Sequence, residues 1–227
     1  MDEMGSKTGL EKAPGRLERS QKMYARIMTA SLPQDLPFEA EEPRFLEALQ
    51  EVPGFEGVLL QQQVGSQKGM FVSFWASLDQ LRSMEKELGS RIGPSPFPSN
   101  TDDAYEVVDM TAGSEADSRP AFAWAGSFER LSEAQMAAHD RAARERIKPL
   151  VERMPGVVAA YSLRTLERDT ALELVLSTSV EAIEAGNQAI NSMELFPDED
   201  SGLLTGPDTV EIYRVGKHIR ARDFTRQ

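Results

Sequence analysis

The sequence contains no cysteine and only two histidines, His139 and His218. Without cysteine the chain can form no disulfide, thiolate metal site or iron–sulfur cluster, and it has no cysteine nucleophile. Two histidines are also too few for a typical zinc site built from protein ligands alone. These absences exclude several large classes of enzyme before any motif is considered.

Long apolar runs are missing as well. No stretch approaches the roughly 20 apolar residues that span a bilayer, and the first twenty residues lack the apolar core of a signal peptide. Acidic residues outnumber basic ones by 37 to 25, which gives a formal net charge of −12. Such a charge repels phosphate backbones and anionic lipid surfaces. We therefore expect a cytoplasmic protein that binds neither nucleic acid nor membranes.

What the chain does contain is an internal repeat. Val52-Pro53-Gly54-Phe55-Glu56-Gly57 returns as Met154-Pro155-Gly156-Val157-Val158-Ala159, and the same offset of 102 residues places Ser77 on Ser179. A repeat at this spacing predicts two similar structural units. The predicted segments are a disordered tail at 1–21, unit one at 22–110, a linker at 111–120, unit two at 121–216 and a C-terminal tail at 217–227.

Each unit has the sequence pattern strand, helix, strand, strand, helix, strand. Ser77 with Gln80 and Ser132 with Gln135 have the form of a capping box, which begins a helix. This order is typical of the ferredoxin-like split βαβ unit, an antiparallel sheet with both helices on one face. The other face needs a cover, and a second unit can supply it. We predict an α+β fold in which two ferredoxin-like units pack their sheets into an intramolecular, pseudo-dimeric α/β barrel.

Alternation along the third strand of each unit predicts which side chains share a face. One face carries apolar residues in both units, and we expect it to lie under the helices: Met70, Val72 and Phe74, with Leu172, Leu174 and Leu176. The opposite face is expected to meet the other unit: Phe71, Ser73 and Trp75, with Glu173, Val175 and Ser177.

The chain also resembles a known family. Pro53-Gly54-Phe55-Glu56-Gly57 after a helix, the strand end Phe74-Trp75-Ala76-Ser77, and the terminal strands with Tyr105-Glu106-Val107-Val108 and Val210-Glu211-Ile212-Tyr213 resemble antibiotic biosynthesis monooxygenase-like domains of the dimeric α/β-barrel superfamily. The resemblance covers residues 22 to 216 in two copies. Such domains usually pair as homodimers, so the resemblance implies a fused pseudo-dimer. We expect a monomer, and further homo-oligomers remain open.

The resemblance implies a cofactor-independent monooxygenase that acts on a small aromatic, enolisable molecule, whose carbanion reduces oxygen after it loses a proton. Because other members have different activities or none known, the alternative is a non-catalytic module that binds a small molecule or a protein. Haem-degrading members carry an asparagine on the first strand, and a tryptophan and a histidine on the second helix, of each unit. The corresponding segments here contain none of these, so we expect no haem and no other cofactor.

Three residues of unit two are the candidate catalytic residues. His139 is a candidate general base because imidazole titrates near neutral pH, and its alternative is a half-exposed histidine at the border of an apolar stripe. Trp124 could form an aromatic wall for a flat ligand or belong to the core. Arg164 could stabilise an enolate oxygen or form an ordinary ion pair, and Tyr161 lies on the opposite face of the same strand. Unit one lacks comparable residues in its helices, so unit two is expected to hold the working pocket.

Overall fold

The computed structural model describes residues 22–32, 38–92, 99–167 and 169–220. Unit one consists of β1 (Met23–Ser31), α1 (Phe38–Gln50), β2 (Phe55–Gln63), β3 (Lys68–Trp75), α2 (Leu78–Ile92) and β4 (Ser99–Ala112). Unit two consists of β5 (Phe122–Phe128), α3 (Glu133–Ala142), a π-helical segment (Ala143–Ile147), α4 (Lys148–Val151), β6 (Val157–Thr165), β7 (Ala171–Ser177), α5 (Val180–Asn191) and β8 (Thr209–Arg220). Both units have the predicted order of strands and helices.

The eight strands form one closed antiparallel barrel in the order β1-β3-β2-β8-β5-β7-β6-β4. Two seams join the units: β2 pairs with β8, and β4 pairs with β6. Each strand therefore has a neighbour on both sides, so neither sheet keeps an open edge. The predicted intramolecular α/β barrel is confirmed.

The predicted tails fall mainly on residues that the structure does not describe. Residues 1–21 and 221–227 lie outside the described ranges. β8, however, extends to Arg220 and includes the first four residues of the segment predicted as a C-terminal tail. Ile219 pairs there with Val58, so the additional residues complete the seam along β2.

The prediction of which sheet face lies under the helices was wrong. Phe74 and Leu174 belong to the cluster that fills the barrel interior, and Phe74 stacks on Tyr161 of unit two with ring centroids 4.9 Å apart. Trp75 is fully buried on the other face, in the cluster beneath α1 and α2, where its indole N–H donates to Ser73 Oγ at 2.9 Å. The barrel interior is closed off by both units, which explains why the uniformly apolar face lies inside. The helix-covered face can accept polar residues that pair with the helices.

The offset of 102 residues corresponds to equivalent backbone geometry. Gly54 and Gly156 both have positive φ, +82° and +79°, and each carbonyl accepts a hydrogen bond from the strand end of its own unit, from Ala76 at 2.8 Å and Thr178 at 2.9 Å. Ser77 and Ser179 then accept hydrogen bonds from the backbone N–H groups of Gln80 and Ala182 at the starts of α2 and α5. The turn motif thus joins the same strands and helix in both units.

Gly156→Ala is expected to lower the free energy of unfolding by about 2–5 kcal/mol. A non-glycine residue at positive φ costs about 1–2 kcal/mol, and crowding in a packed region adds about 1–3 kcal/mol. A Cβ at this position would lie 2.6 Å from the Cβ of Ala182 in α5. Gly65→Ala is the matched control, because Gly65 has φ +76° with no atom within 4 Å of a Cβ and should show the φ penalty alone. Urea unfolding of both variants measures the difference, and equal losses would contradict the steric argument.

Candidate active site in the helix–sheet layer of unit two

The space between helices and sheet differs between the two units. In unit one a single apolar cluster fills most of it, with Leu49, Trp75 and Met84 among its buried members. The buried Arg26 of β1 lies beside this cluster, donating to Met84 Sδ at 3.6 Å and pairing with Asp102. In unit two the apolar residues form two smaller clusters, one around Phe128 and Met136 and one around Val151, Met154 and Val157. Unit two therefore leaves room for polar groups between its clusters.

A row of small and polar residues crosses the sheet of unit two between these clusters. The strand registers place Gly126 of β5 opposite Glu173 of β7, and Glu173 opposite Ser162 of β6. Ser162 Oγ donates to Glu173 Oε2 at 2.6 Å. At the positions of Ser162 and Glu173, unit one has Leu60 and Phe71, which its strand register also pairs. The polar row is thus specific to unit two.

Arg164 connects this row to α3 by ion pairs with Glu173 of the row and Asp140 of α3. Its side chain is 1% exposed, and its guanidinium donates to Asp140 Oδ1 at 2.7 and 3.1 Å, to Glu173 Oε1 at 2.8 Å and to the Leu163 carbonyl at 2.9 Å. Burial of the guanidinium opposes its charge, but the carboxylates of Glu173 and Asp140 keep the pKa of Arg164 above its ordinary value. Burial raises the pKa of Glu173, although Arg164 and Ser162 counteract the shift. A guanidinium held by two carboxylates is well placed to fix α3 against the sheet.

His139 precedes Asp140 in α3 and lies at one end of this layer. Its ring packs edge-on against Phe128 of β5, with ring centroids 4.8 Å apart. Burial and the nearby Arg164 charge lower the pKa of His139 below 6.5, while Asp140 acts in the opposite direction. The imidazole is therefore neutral at pH 7. Its Nε2 is buried and has no hydrogen-bond partner among the described residues.

Trp124 lies four residues before Phe128 in β5 and points to the same face of the sheet. Its indole ring extends over Gly126, so that a Cβ on Gly126 would be 2.3 Å from Trp124 Cη2. The absence of a side chain at Gly126 thus allows the ring to lie along the strand. Trp124 Nε1 is buried, and within the described part of the chain it has no acceptor. Buried N–H groups without an acceptor are uncommon and call for an explanation.

A π-helical segment follows immediately after the helix that carries His139 and Asp140. Such segments occur often at functional sites, because they change the direction of side chains along a helix. Arg146 within it forms an ion pair with Glu199 at 3.1 Å, and the two side chains are 9% and 4% exposed. The loop between α5 and β8 is thus held against the helix above the layer.

The sequence identified His139, Trp124 and Arg164, and the structure places all three in or beside this layer. Tyr161 faces the barrel interior, and it lies on the opposite face of β6 from Arg164, as the sequence predicted. The sequence analysis missed Asp140, Ser162, Gly126 and the role of Glu173. A glutamate inside the otherwise apolar strand Ala171-Leu172-Glu173-Leu174-Val175-Leu176 was the available signal, because a charge at the centre of such a strand needs a partner.

Two open recesses of about 370 and 380 Å³ lie elsewhere, around Arg214 on the outside of the barrel. The described residues contain no group of three or more acidic or histidine side chains placed to hold a metal ion. Over the same ranges, no helix has the length and apolar character needed to cross a membrane.

No protein-family model matches the chain, and no curated protein matches it. Among solved structures, an anthrone oxidase-like protein aligns with 89% of this chain and 94% of its own, with a TM-score of 0.58 and 14% identity. A candidate monooxygenase from Fusobacterium nucleatum aligns with 88% of this chain and 95% of its own, with a TM-score of 0.64 and 8% identity. This chain has the dimeric α/β-barrel fold.

A third similar structure is a ferredoxin-fold protein from Listeria monocytogenes that is related to antibiotic biosynthesis monooxygenases. It aligns with 87% of this chain and 96% of its own, with a TM-score of 0.52 and 10% identity. The shares are similar on both sides, so the alignments include both units of the barrel. The resemblance in fold is confirmed, and at these identities it extends to the fold alone.

Proposed function

We propose that the chain is a cofactor-independent monooxygenase that binds a small, flat, enolisable aromatic molecule in the helix–sheet layer of unit two. The observation that supports this most directly is the presence of two buried polar atoms, His139 Nε2 and Trp124 Nε1, that have no hydrogen-bond partner within the described ranges of the chain. The first can accept a proton, and the second donates a hydrogen bond. A ligand with an acidic C–H that is conjugated with a carbonyl offers a group for each.

His139 is the proposed general base. Because the imidazole is neutral at pH 7, its Nε2 can remove a proton from a methylene carbon that is conjugated with a ketone through an aromatic ring. The resulting carbanion transfers an electron to O2, the two radicals combine to a peroxide anion, and the protonated His139 returns its proton to give the hydroperoxide. Loss of water from the hydroperoxide leaves a new carbonyl. One methylene and one O2 thus give one carbonyl and one water, with O2 as the oxidant.

Trp124 is proposed to serve as both wall and donor. Its ring covers the strand at Gly126 and presents a flat apolar surface, while its N–H donates to the oxygen that becomes negative when the substrate loses its proton. Arg164 has its donors engaged by Asp140, Glu173 and the Leu163 carbonyl. We therefore assign it a positioning role: it holds α3, and with it His139, at a fixed distance from the sheet.

The test measures binding and turnover with anthrone, chosen because one similar fold belongs to an anthrone oxidase-like protein. Binding at 100 times the dissociation constant should stabilise the protein by about 2.7 kcal/mol, which gives a measurable rise in Tm. Turnover should appear as O2 uptake and anthraquinone formation faster than the uncatalysed reaction. Stabilisation without turnover would support the non-catalytic binding module. The absence of both stabilisation and turnover would refute an anthrone-like substrate.

Trp124→Phe is expected to weaken anthrone binding by about tenfold, since it removes one hydrogen bond to the ligand's carbonyl oxygen but keeps an aromatic ring. The ligand-free protein should lose little stability, because the deleted N–H has no acceptor among the described side chains and backbone. Trp75→Phe is the matched control, as its N–H donates to Ser73 Oγ in unit one. It should leave anthrone affinity unchanged, and equal effects of the two substitutions on affinity would contradict the assignment.

A further inference from the structure

A second feature of the molecule lies outside the helix–sheet layer. The two open recesses adjoin each other on the outside of the barrel and share Arg214 of β8. One, of about 380 Å³, is bordered by Arg119, Pro120, Ala121, Phe122, Arg214 and Val215. Its volume lies within the range of about 300–1,000 Å³ typical of small-molecule sites.

The charge of this recess is opposite to that of the chain as a whole. Arg119 and Arg214 both border it, and none of its described lining residues is acidic, although the chain has a net charge of −12. A local pair of cations in an acidic protein provides a site where an anion is favoured over the rest of the surface.

Both guanidinium groups retain donors for a ligand. Arg214 forms no ion pair with a carboxylate in the described ranges, and its guanidinium lies over the Phe122 ring, 5.9 Å from the centroid. Arg119 donates from Nη2 to the Gly216 carbonyl at 3.0 Å. Since a guanidinium carries five N–H donors, most of them remain available in both residues. Planar guanidinium groups match the two oxygens of a carboxylate.

The rest of the lining is apolar. Phe122, Pro120 and Val215 form the wall beside the two cations. We propose that this recess binds a small aromatic carboxylate, whose ring packs on the apolar wall while its carboxylate is held between Arg119 and Arg214. Its lining includes none of the residues assigned to the proposed oxygenase layer.

The experiment compares 2-naphthoate with its neutral analogue 2-naphthylmethanol by isothermal titration calorimetry of the full chain. Naphthoate should bind at least about tenfold more tightly, which corresponds to one charge-assisted contact. That preference should disappear in Arg214→Gln and fall in Arg119→Gln. It should persist in Arg153→Gln, whose exposed guanidinium donates to the Pro149 carbonyl, and in Trp124→Phe, which reports on the helix–sheet layer.

Equal affinity for naphthoate and the alcohol would overturn the proposal, as would a preference that survives in Arg214→Gln. Loss of the preference in Trp124→Phe alone would place the ligand in the helix–sheet layer and would also overturn it. Inorganic phosphate distinguishes the remaining case: if it displaces naphthoate with comparable affinity, the recess is a general anion site and the aromatic specificity is refuted. Unchanged Tm values of the arginine variants would show that they remain folded.

Discussion

His139→Ala is expected to lower kcat for anthrone oxidation by about 10²- to 10⁴-fold, the usual contribution of a positioned general base. Affinity for anthrone should change by only a few fold, because the Trp124 ring and its N–H remain. His218→Gln is the control, since His218 lies in β8 at the seam with β2 and should keep kcat near that of the unchanged protein. A rise in KM as large as the fall in kcat would indicate a structural role for His139 rather than proton transfer.

The pH dependence gives an independent check. Burial and the Arg164 charge lower the pKa of His139, so the imidazole stays neutral, and able to accept a proton, down to a pH below 6.5. We expect kcat/KM to fall on the acid side with a midpoint below 6.5, and this limb should be absent from the residual activity of His139→Ala. A limb with its midpoint above 6.5, or one that persists in the variant, would assign the base to another group.

The order of elements could be predicted because the signals for it are local. Capping serines and the Pro-Gly turn depend on a few neighbouring residues, and Gly54 and Gly156 show the same turn in the structure. The face that the helices cover could not be predicted in the same way. Alternation shows which side chains share a face, but β3 is largely apolar on both, so nothing in that strand alone shows which face the helices cover.

The candidate site likewise contains some residues that the sequence indicates and others that it does not. His139, Trp124 and Arg164 are residue types that attract attention in any sequence, whereas their partners depend on tertiary arrangement. Arg164 meets Asp140, 24 residues away, only because α3 crosses β6. The importance of Gly126 depends on the direction in which the Trp124 ring points, and the residue sequence does not determine this direction.

Arg164→Met is expected to lower the free energy of unfolding by about 3–5 kcal/mol, the cost of leaving buried charges without their partner. The Arg164 side chain is 1% exposed and is held by Asp140 and Glu173. Without the guanidinium, both carboxylates face each other in a layer where burial already raises the pKa of Glu173. Chemical denaturation at pH 7 measures the loss. Arg91→Met is the surface control, because its partner Glu51 is 69% exposed and such pairs contribute about 0–1 kcal/mol.

The loss of folding stability in Arg164→Met should become smaller as the pH falls. In the variant the folded protein holds Glu173 with a pKa above its unfolded value, so ionisation of the carboxyl destabilises the fold as pH rises through that interval. Below the ordinary glutamate pKa of about 4.3 the group is protonated in both states, and this part of the deficit disappears. The additional substitution Glu173→Gln should recover part of the lost stability at pH 7 for the same reason. A deficit that is constant from pH 4 to pH 8 and unaffected by Glu173→Gln would show that Arg164 stabilises the layer by packing rather than by charge.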